Sequence, residues 1–395
     1  MDSFKVALIS EEFPPFMFGG IASVCYDLAQ ALSKKGIHTT VFCGKSRKMA
    51  IEKINDKLEI VRLPCLNLPP RFVWFQLQNL KLFSKLLKHH TILHVVNPQA
   101  GASIVHVNRK LRKPIVTSIH GVHLISLKLS ISSPLASWTM RDLGYQLFGF
   151  PLQELLYNIC LRNSNHVAVC SFSTLAELRS LYPFLNLDKT SVIHNGINFD
   201  EVALNSKSIE KCSSIIFYGR LYWTKGLFYL IKAVANLEQD FPDLDVKIFG
   251  EGPLKEKIKR MVSALGLKEK ISIRGFMPRN KLIEEIRKAS IAVFPSLHEA
   301  QPICMLEAMA CKKPVVAFDF PFSREIILDM YNGLLAKPGD VEDLSNKIRI
   351  LLADKKLRLK LGQNAYDHVK KRHNWDTLVE KYIEVYRNIA RTSSD

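Results

Sequence analysis

The chain has 395 residues, of which 47% are hydrophobic and 23% are charged. This composition is typical of a folded protein with more than one domain, and it excludes a disordered chain or a small lone binding module. The 55 Lys and Arg residues outnumber the 37 Asp and Glu residues by 18. An excess of that size favours a polyanionic partner such as nucleic acid, anionic lipid or a phosphorylated substrate.

The positive charge is spread along the chain. Residues 1–200 hold 22 Lys and Arg against 12 Asp and Glu, and the remaining residues hold 33 against 25. Basic runs of roughly five to eight residues, which are typical of nucleic-acid-binding or nuclear-targeting segments, do not occur in the sequence. We therefore expect no nucleic-acid partner.

The eight cysteines form neither a Cys-x-x-Cys pair nor a tight Cys/His cluster. This pattern predicts no zinc site and no disulfide framework, and it is typical of buried thiols in a reducing, cytoplasmic compartment. The apolar run at residues 4–9 is too short for a signal peptide. The sequence also lacks a run of about 18 uncharged apolar residues, so no membrane-spanning helix is predicted.

Short apolar runs alternate with helix-length segments along the first 200 residues. The segment 21–34 repeats its apolar residues with the period of one helix face. Apolar strands separated by helices predict a parallel sheet covered on both faces. We therefore expect a Rossmann-like N-terminal domain over residues 1–200, with strands at residues 6–9, 39–43, 92–96, 115–119, 167–170 and 191–193.

A polar stretch near residues 200–208 indicates a linker, after which the alternation of strands and helices restarts. A second doubly wound domain is predicted over residues 201–374. Ligands of such sheets bind at the carboxyl ends of the strands, so two facing domains would enclose a substrate in a central cleft. The strands expected in this domain lie at residues 215–218, 246–249, 271–273, 291–294 and 315–318.

Two stretches of the first domain allow more than one interpretation. Residues 71–90 interleave aromatic and leucine residues with three lysines, a pattern typical both of a basic amphipathic helix on a membrane surface and of a Rossmann helix packed on its sheet. Residues 121–160 carry few charges among many apolar side chains. They would form either an apolar acceptor site or the buried lining of the cleft.

Three groups of residues have the chemistry of a phosphate- and sugar-binding site. Gly19 and Gly20 open the first helix, where backbone amides can approach phosphate. Arg220 and Lys225 follow the first strand of the second domain, and two cations at that position suit a diphosphate. Around residues 299–307, two glutamates flank the start of a helix, where carboxylates can accept hydrogen bonds from sugar or ribose hydroxyls.

Glu299 and Glu307, separated by seven residues, resemble the E-x7-E motif of the retaining GT4-type glycosyltransferases. The other motifs of that family occur in the same order and cover nearly the whole chain. They are Gly19-Gly20, His120-Gly121, His194-Asn195-Gly196-Ile197, Gly219-Arg220 with Lys225-Gly226, and Gly250-Glu251-Gly252-Pro253.

The resemblance implies a GT-B fold, in which two Rossmann-like domains face a central cleft and the second binds a nucleotide-sugar. It assigns Arg220 and Lys225 to the diphosphate and the leaving nucleotide, Glu299 to donor-sugar hydroxyls and Glu307 to the ribose. It places His120 near the reacting sugar, and it packs a C-terminal helix, residues 375–391, back onto the first domain. The other substrate-binding residues that it implies are Gly19, Gly20, Asn195, Gly219, Gly250, Gly252, Phe276, Ile303 and Cys304.

We expect no metal and no cofactor other than the co-substrate. Arg220 and Lys225 supply the positive charge that a divalent ion would otherwise provide. The sequence does contain Asp243-Leu244-Asp245, which has the form of the metal-binding Asp-x-Asp motif of a different glycosyltransferase fold. Because these residues precede a predicted strand, they lie at the end opposite the ligand side, and we interpret them as a solvated turn.

The resemblance therefore implies a metal-independent retaining glycosyltransferase that moves a hexose from a UDP- or GDP-sugar to a sugar or lipid-linked acceptor. We expect a cytoplasmic protein, with a peripheral location on the cytoplasmic face of an anionic membrane as a further hypothesis. The alternatives are a nucleotide-sugar epimerase or phosphorylase-like enzyme of the same fold, and a non-catalytic basic scaffold that binds membrane or RNA.

Overall fold

The structure is a computed structural model, and it describes residues 4–15, 20–46, 48–68, 70–122, 124, 125, 128, 149–203 and 213–392. These residues form two compact units. The first unit contains the described residues up to Asn195 together with those from Trp375 onward, and the second contains the described residues of Gly196–Asn374. None of the described helices combines the length and apolar composition that crossing a lipid bilayer requires.

The boundary between the units lies five residues before the predicted one at residue 200. Ile197 is fully buried in the core of the second unit. Its amide donates a hydrogen bond to the carbonyl oxygen of His373 at 2.7 Å, and it pairs with Asn374 as an isolated bridge. These contacts fix the chain to the second unit before the polar segment that suggested a linker.

The first unit contains an eight-stranded sheet with the order β3-β4-β2-β1-β5-β6-β7-β8. Its central strands are apolar and fully buried, as expected for a sheet with helices on both faces. The strand order reverses between β1 and β5, and β1 pairs in parallel with both β2 and β5. The strands are β1 (Lys5–Ser10), β2 (His38–Ser46), β3 (Ala50–Asn55), β4 (Leu58–Pro64), β5 (Ile92–Val95), β6 (Ile115–Ile119), β7 (His166–Val169) and β8 (Thr190–Val192).

One edge of the first sheet departs from the predicted parallel pairing. Strand β3 pairs with β4 in the antiparallel direction. Its side chains are almost all exposed, so it lacks the continuous apolar run by which the buried strands were recognised. An exposed edge strand of this kind is common beside an otherwise parallel sheet.

Among the described helices of the first unit, α2 (Arg71–Leu86) covers most of the ambiguous residues 71–90. Helix α2 buries three phenylalanines against the sheet, while Lys81 and Lys85 point away and are exposed. Of the two interpretations of residues 71–90, the packed Rossmann helix is therefore the one that holds. The helices before the boundary are α1 (Gly20–Lys34), α2 (Arg71–Leu86), α3 (Ala102–Leu111), α4 (Phe150–Arg162) and α5 (Phe172–Leu181).

Much of the apolar stretch at residues 121–160 lies outside the described residues. Within the described part, helix α4 buries Phe150, Tyr157, Cys160 and Leu161. Tyr157 and Leu161 pack in one apolar cluster and Cys160 in another. This end of the stretch therefore belongs to the core of the first unit.

The second unit contains a six-stranded parallel sheet with the order β11-β10-β9-β12-β13-β14. Its strands and helices share one continuous apolar core. The strands are β9 (Ser214–Tyr218), β10 (Asp245–Phe249), β11 (Ile271–Arg274), β12 (Ile291–Phe294), β13 (Val315–Phe318) and β14 (Gly333–Ala336). The helices are α6 (Phe199–Ala203), α7 (Leu227–Leu237), α8 (Lys255–Ala264), α9 (Arg279–Lys288), α10 (Ile303–Ala310), α11 (Pro321–Arg324), α12 (Val341–Ala353) and α13 (Lys355–Arg372).

The last helix, α14 (Trp375–Thr392), belongs to the first unit and is joined to its sheet by a buried polar network. His94 of β5 contacts the Tyr386 hydroxyl through Nδ1 at 2.6 Å and the Ser118 hydroxyl through Nε2 at 2.7 Å. The Tyr382 hydroxyl lies 3.3 Å from that of Ser118. Burial lowers the pKa of His94 to about 3, so the imidazole is neutral and both nitrogens have a partner.

We expect Tyr386→Phe to destabilise the protein by about 1–3 kcal/mol, because it leaves one buried nitrogen of His94 without a hydrogen-bond partner. The ring packing against Phe4, at 6.0 Å between centroids, is retained in this variant. Denaturant unfolding measures the difference. The exposed Tyr331 provides the control variant Tyr331→Phe, and equal stability of the two variants would contradict the prediction.

Candidate active site

The second sheet has its topological switch point between β9 and β12, which pair in parallel while their following helices lie on opposite sides. In open α/β sheets, ligands bind outside the carboxyl ends of the strands at such a point. The loop after β9 contains Arg220 and Lys225, and the loop after β12 contains Glu299. A backbone hydrogen bond of 2.7 Å from Leu297 to Thr224 joins the two loops.

Lys225 and Glu299 form an ion pair at this point. The Lys225 ammonium donates to Oε1 of Glu299, and the Ser296 hydroxyl donates to the same oxygen at 2.9 Å. The two charged side chains are only 15% and 14% exposed. Because so little solvent reaches the pair, each charge is stabilised mainly by the opposite charge of its partner.

The close approach of the loops depends on glycine. Gly226 has φ of 67°, and a Cβ there would overlap the carbonyl oxygen of Pro295, immediately after β12. Gly250, with φ of 140°, lies similarly close to the carbonyl oxygen of Gly219. Both positions combine a left-handed backbone with a contact that leaves no space for a side chain. These motif glycines therefore allow the ends of β9, β10 and β12 to meet.

Arg220 and Lys225 differ in their surroundings, although both follow β9. Arg220 is exposed, and its guanidinium carbon lies 5.3 Å from the centre of the Tyr222 ring. Within the described part of the chain, no carboxylate forms an ion pair with it. An exposed guanidinium at a strand's carboxyl end can take a phosphate without first giving up another partner.

Helix α10 holds the second glutamate of the motif. Glu299 lies on the loop before this helix, and Glu307 lies within it and is 9% exposed. The Tyr218 hydroxyl, at the end of β9, donates a 2.6 Å hydrogen bond to the carbonyl oxygen of Cys304 and so fixes the start of α10. Burial raises the pKa of the Cys304 thiol to about 12, so it is present as a neutral thiol.

Glu307 has a charged partner that the sequence did not indicate. Nε of Arg279, the first residue of α9, lies 3.2 Å from Oε1 of Glu307, and Nη1 of Arg279 lies 3.3 Å from Oε2 of Glu201. Only the packing of α6, α9 and α10 brings these three residues together. The spacing of residues along the sequence therefore could not have predicted this contact.

The remaining predicted residues of the second unit lie on loops at the same sheet edge or, for Ile303, at the start of a helix. Gly219 follows β9, Gly250 and Gly252 follow β10, and Phe276 follows β11. The Phe276 side chain is 70% exposed, so its ring is open to a planar ligand. Ile303 is the first residue of α10 and is half-buried.

His120 lies at the corresponding edge of the first sheet, one residue after β6. Both ring nitrogens are buried, and neither has a well-aligned hydrogen bond. Burial lowers the pKa of His120 to about 4, and the nearby Asn195 amide partly opposes this shift. The ring is therefore neutral at neutral pH and can either donate or accept a proton. The structure thus brings together two of the predicted residues, His120 and Asn195.

Gly20 is the first residue of α1 and is exposed. Gly19 lies outside the described residues. The structure therefore describes only the second half of the predicted Gly19-Gly20 motif, which stays a prediction.

Glu11 is a second residue that sequence analysis missed. It follows β1 directly, is 8% exposed, and has a buried Oε2 without a hydrogen-bond partner. The Asn97 amide, after β5, lies 3.5 Å from the other oxygen, so this contact spans the switch point of the first sheet. Burial, reinforced by the negative charge of Glu12 and opposed by Arg71, raises the pKa of Glu11 to about 8.

The described residues contain no cluster of three or more His, Cys, Asp or Glu side chains that could hold a metal ion. Asp245 begins β10, and the exposed Asp243 lies on the turn before it. The Asp-x-Asp sequence is therefore at the amino end of the sheet, opposite the candidate site, where the turn interpretation placed it.

Models of two families match the chain in succession. Glycosyltransferase Family 4 matches residues 18–201, and Glycosyl transferases group 1 matches residues 201–368. An uncharacterized glycosyltransferase of Methanocaldococcus jannaschii is 26% identical over 402 residues, covering 97% of this chain and 98% of its own. A second one from that organism is 32% identical over 298 residues, covering 75% and 74%. The chain belongs to the GT4-type glycosyltransferase family.

Solved structures place this GT4-type glycosyltransferase in the GT-B fold. Sucrose-phosphate synthase from Thermosynechococcus elongatus superposes with a TM-score of 0.80 at 21% identity, over 98% of this chain and 100% of its own. HepE of Anabaena, solved in complex with UDP and glucose, superposes with a TM-score of 0.72 at 17% identity, again over 98% and 100%. The predicted GT-B fold, with two parallel-sheet α/β domains, is confirmed.

One further relative has a name that states an acceptor. It is the N,N'-diacetylbacillosaminyl-diphospho-undecaprenol alpha-1,3-N-acetylgalactosaminyltransferase of Campylobacter jejuni. This protein is 27% identical over 207 residues, which are 52% of this chain and 53% of its own.

The buried acid next to β1 gives a testable pH dependence. The Glu11 pKa is raised from 4.5 to about 8, so between these values the folded protein holds a proton that the unfolded chain releases. The free energy of unfolding should therefore fall as pH rises from about 5 to about 8, by up to about 1.4 kcal/mol per pH unit. Glu11→Gln keeps the shape and the neutral charge, so it should remove this dependence.

Denaturant unfolding of both proteins at several pH values measures the difference. Glu380→Gln changes an exposed carboxylate of α14 and serves as the matched control. A stability difference between wild type and Glu11→Gln that does not grow with pH would refute this assignment.

Proposed function

We propose that this glycosyltransferase is a retaining, metal-independent hexosyltransferase that uses a UDP- or GDP-sugar donor. The observation that carries the proposal is the Lys225–Glu299 ion pair at the switch point of the second sheet. It places a cation suited to a diphosphate directly beside a carboxylate suited to sugar hydroxyls. HepE, to which this chain is similar, was solved in complex with UDP and glucose, which supports a donor of this class.

In this proposal, Arg220 and Lys225 bind the diphosphate and offset the negative charge that develops on the leaving nucleotide. Arg220 is exposed and engages the phosphates as a planar fork, whereas Lys225 contributes a point charge held in place by Glu299. Glu299 accepts hydrogen bonds from the donor sugar, and Glu307 accepts them from the ribose hydroxyls. The exposed Phe276 borders the base, together with the glycines after β10.

The proposed transfer step retains the configuration of the anomeric carbon. The bond between the anomeric carbon and the diphosphate oxygen breaks, and a bond from the acceptor oxygen forms on the same face of the sugar. The acceptor's proton passes to the leaving phosphate oxygen, so no separate carboxylate base is required. Neutral His120 orients the reacting sugar through a hydrogen bond, since its ring nitrogens are not committed to well-aligned protein contacts.

We propose a sugar or lipid-linked acceptor and a peripheral location on the cytoplasmic face of an anionic membrane. The Campylobacter relative, whose name includes an undecaprenol-linked acceptor, supports the first part. The basic excess of the first 200 residues supports the second. Because α2 buries its phenylalanines in the core, membrane contact would be made by its exposed lysines through electrostatic attraction.

Donor-site variants test the proposed chemistry. Glu299→Gln and Arg220→Ala should each lower sugar transfer by roughly a hundredfold or more, because a charged hydrogen bond to the donor or the leaving group is lost. The assay measures product formation and donor hydrolysis with UDP- and GDP-sugars, and nuclear magnetic resonance of the product reports the anomeric configuration. Undiminished transfer by both variants would refute the site, and inversion would refute the retaining mechanism.

A matched control for Glu299→Gln is available in the same unit. Lys247 and Glu285 form another partly buried ion pair, 2.6 Å long, between β10 and α9. Glu285→Gln removes a carboxylate of similar burial outside the candidate site. Its transfer activity should stay close to that of the wild type.

Binding to vesicles tests the membrane location. Replacing the exposed Lys81, Lys85 and Lys88 by Gln should weaken binding to phosphatidylglycerol vesicles at low salt by roughly a hundredfold, at about 1 kcal/mol per lysine. The control replaces three exposed lysines of α13 in the second unit, which are Lys355, Lys356 and Lys360. Wild type that fails to bind the vesicles, or equal losses in both triple variants, would contradict the proposal.

A further inference from the structure

Arg279 lies between two carboxylates of the second unit. Its Nη1 is 3.3 Å from Oε2 of Glu201 on α6, and its Nε is 3.2 Å from Oε1 of Glu307 on α10. The three side chains are 21%, 30% and 11% exposed, respectively. One guanidinium therefore serves two partly buried acids that come from different elements.

The surroundings of Glu307 make this contact important. The Tyr218 hydroxyl and the Cys304 and Cys311 thiols lie close enough that the charge of Glu307 contributes to raising their pKa values. The Tyr218 hydroxyl, however, donates to the carbonyl oxygen of Cys304. These neighbours are neutral groups, whereas Arg279 brings a positive charge into direct contact with Glu307.

Glu201 has two effects in this arrangement. Its negative charge holds the outer nitrogen Nη1 of Arg279, while Nε of the same guanidinium lies 3.2 Å from Oε1 of Glu307. Its helix is itself fixed, because Phe199 packs edge-on against the Tyr366 ring at 5.7 Å. Without the guanidinium, the charges of Glu201 and Glu307 would instead repel each other, and like charges at short range favour protonation of one acid.

We propose that Arg279 is a positioning residue for the donor nucleotide, which keeps Glu307 ionised and oriented by offsetting the charge of Glu201. This inference rests on the proposed function, in which Glu307 accepts hydrogen bonds from two ribose hydroxyls. A carboxylate can accept both, while a protonated acid loses acceptor capacity. Arg279 acts through Glu307 and need not touch the nucleotide.

Nucleotide binding by four variants tests the inference. Calorimetry with UDP and with GDP, from about pH 5.5 to about pH 8.5, compares wild type with Arg279→Met, Arg279→Lys, Glu201→Gln and the Arg279→Met/Glu201→Gln pair. Arg279→Met should weaken binding roughly ten- to hundredfold, with the larger loss at low pH, where Glu307, beside Glu201 and without the charge of Arg279, becomes protonated. Arg279→Lys should restore part of the affinity because it restores the charge.

The double variant distinguishes positioning from direct contact. Removing the charge of Glu201 from the Arg279→Met protein removes the repulsion, so part of the lost affinity should return and the pH dependence should weaken. Arg349→Met, which breaks the exposed 2.8 Å ion pair with Asp240, is the control and should bind like wild type. A loss that is independent of pH and not relieved by Glu201→Gln, or no loss at all, would overturn the inference.

Failure of the proposed function gives a different result. If wild type binds neither UDP nor GDP, the nucleotide-sugar proposal fails. The role of Arg279 between Glu201 and Glu307 is then tested by measuring the unfolding free energies of the same variants without ligand. Glu201→Gln should raise the unfolding free energy of the Arg279→Met protein. In the wild type, the same substitution should leave the unfolding free energy unchanged or lower it. Absence of that sign reversal would refute the role of Arg279 as the group that offsets the two acids.

Discussion

The contact between Lys225 and Glu299 is the interaction on which the candidate site depends. Both charges are largely removed from water, so neither would be stable there alone. Their meeting requires that the loops after two neighbouring strands approach closely, and the glycine at position 226 permits this approach. The parallel pairing of β9 with β12 sets the distance that the two loops must span.

The two sheets present different chemistry at their carboxyl edges. The second unit combines exposed and paired cations with carboxylates, which suits a charged donor. At the edge of the first unit, the neutral groups Glu11 and His120 have buried polar atoms without well-aligned partners. Neutral groups of this kind can exchange hydrogen bonds with hydroxyls without attracting ions. Each edge therefore suits a different type of ligand.

The sequence was sufficient where a local pattern determines the structure. The apolar runs located all the buried strands of both central sheets except β4 and β14, and the motif spacing put Glu299 before α10 and Glu307 inside it. The pattern did not predict β3, because the exposed side chains of this strand resemble those of a loop. It also could not decide whether α2 packs on the sheet or lies on a membrane surface. Arg279 and Glu11 were missed because their partners are distant in the chain and meet only through tertiary packing. The boundary moved to Asn195 for the same reason, since Ile197 pairs with Asn374.

The attachment of α14 also has a consequence for the order in which the chain can fold. The second unit is complete at Asn374, whereas His94 obtains its partner Tyr386 only from the last helix. During synthesis from the N-terminus, the first sheet therefore emerges early but lacks one covering helix until the whole second unit has been made. Synthesis of the first unit therefore starts before that of the second unit, but the first unit is completed only afterwards. Until α14 is available, the exposed face of the first unit must stay free of other contacts.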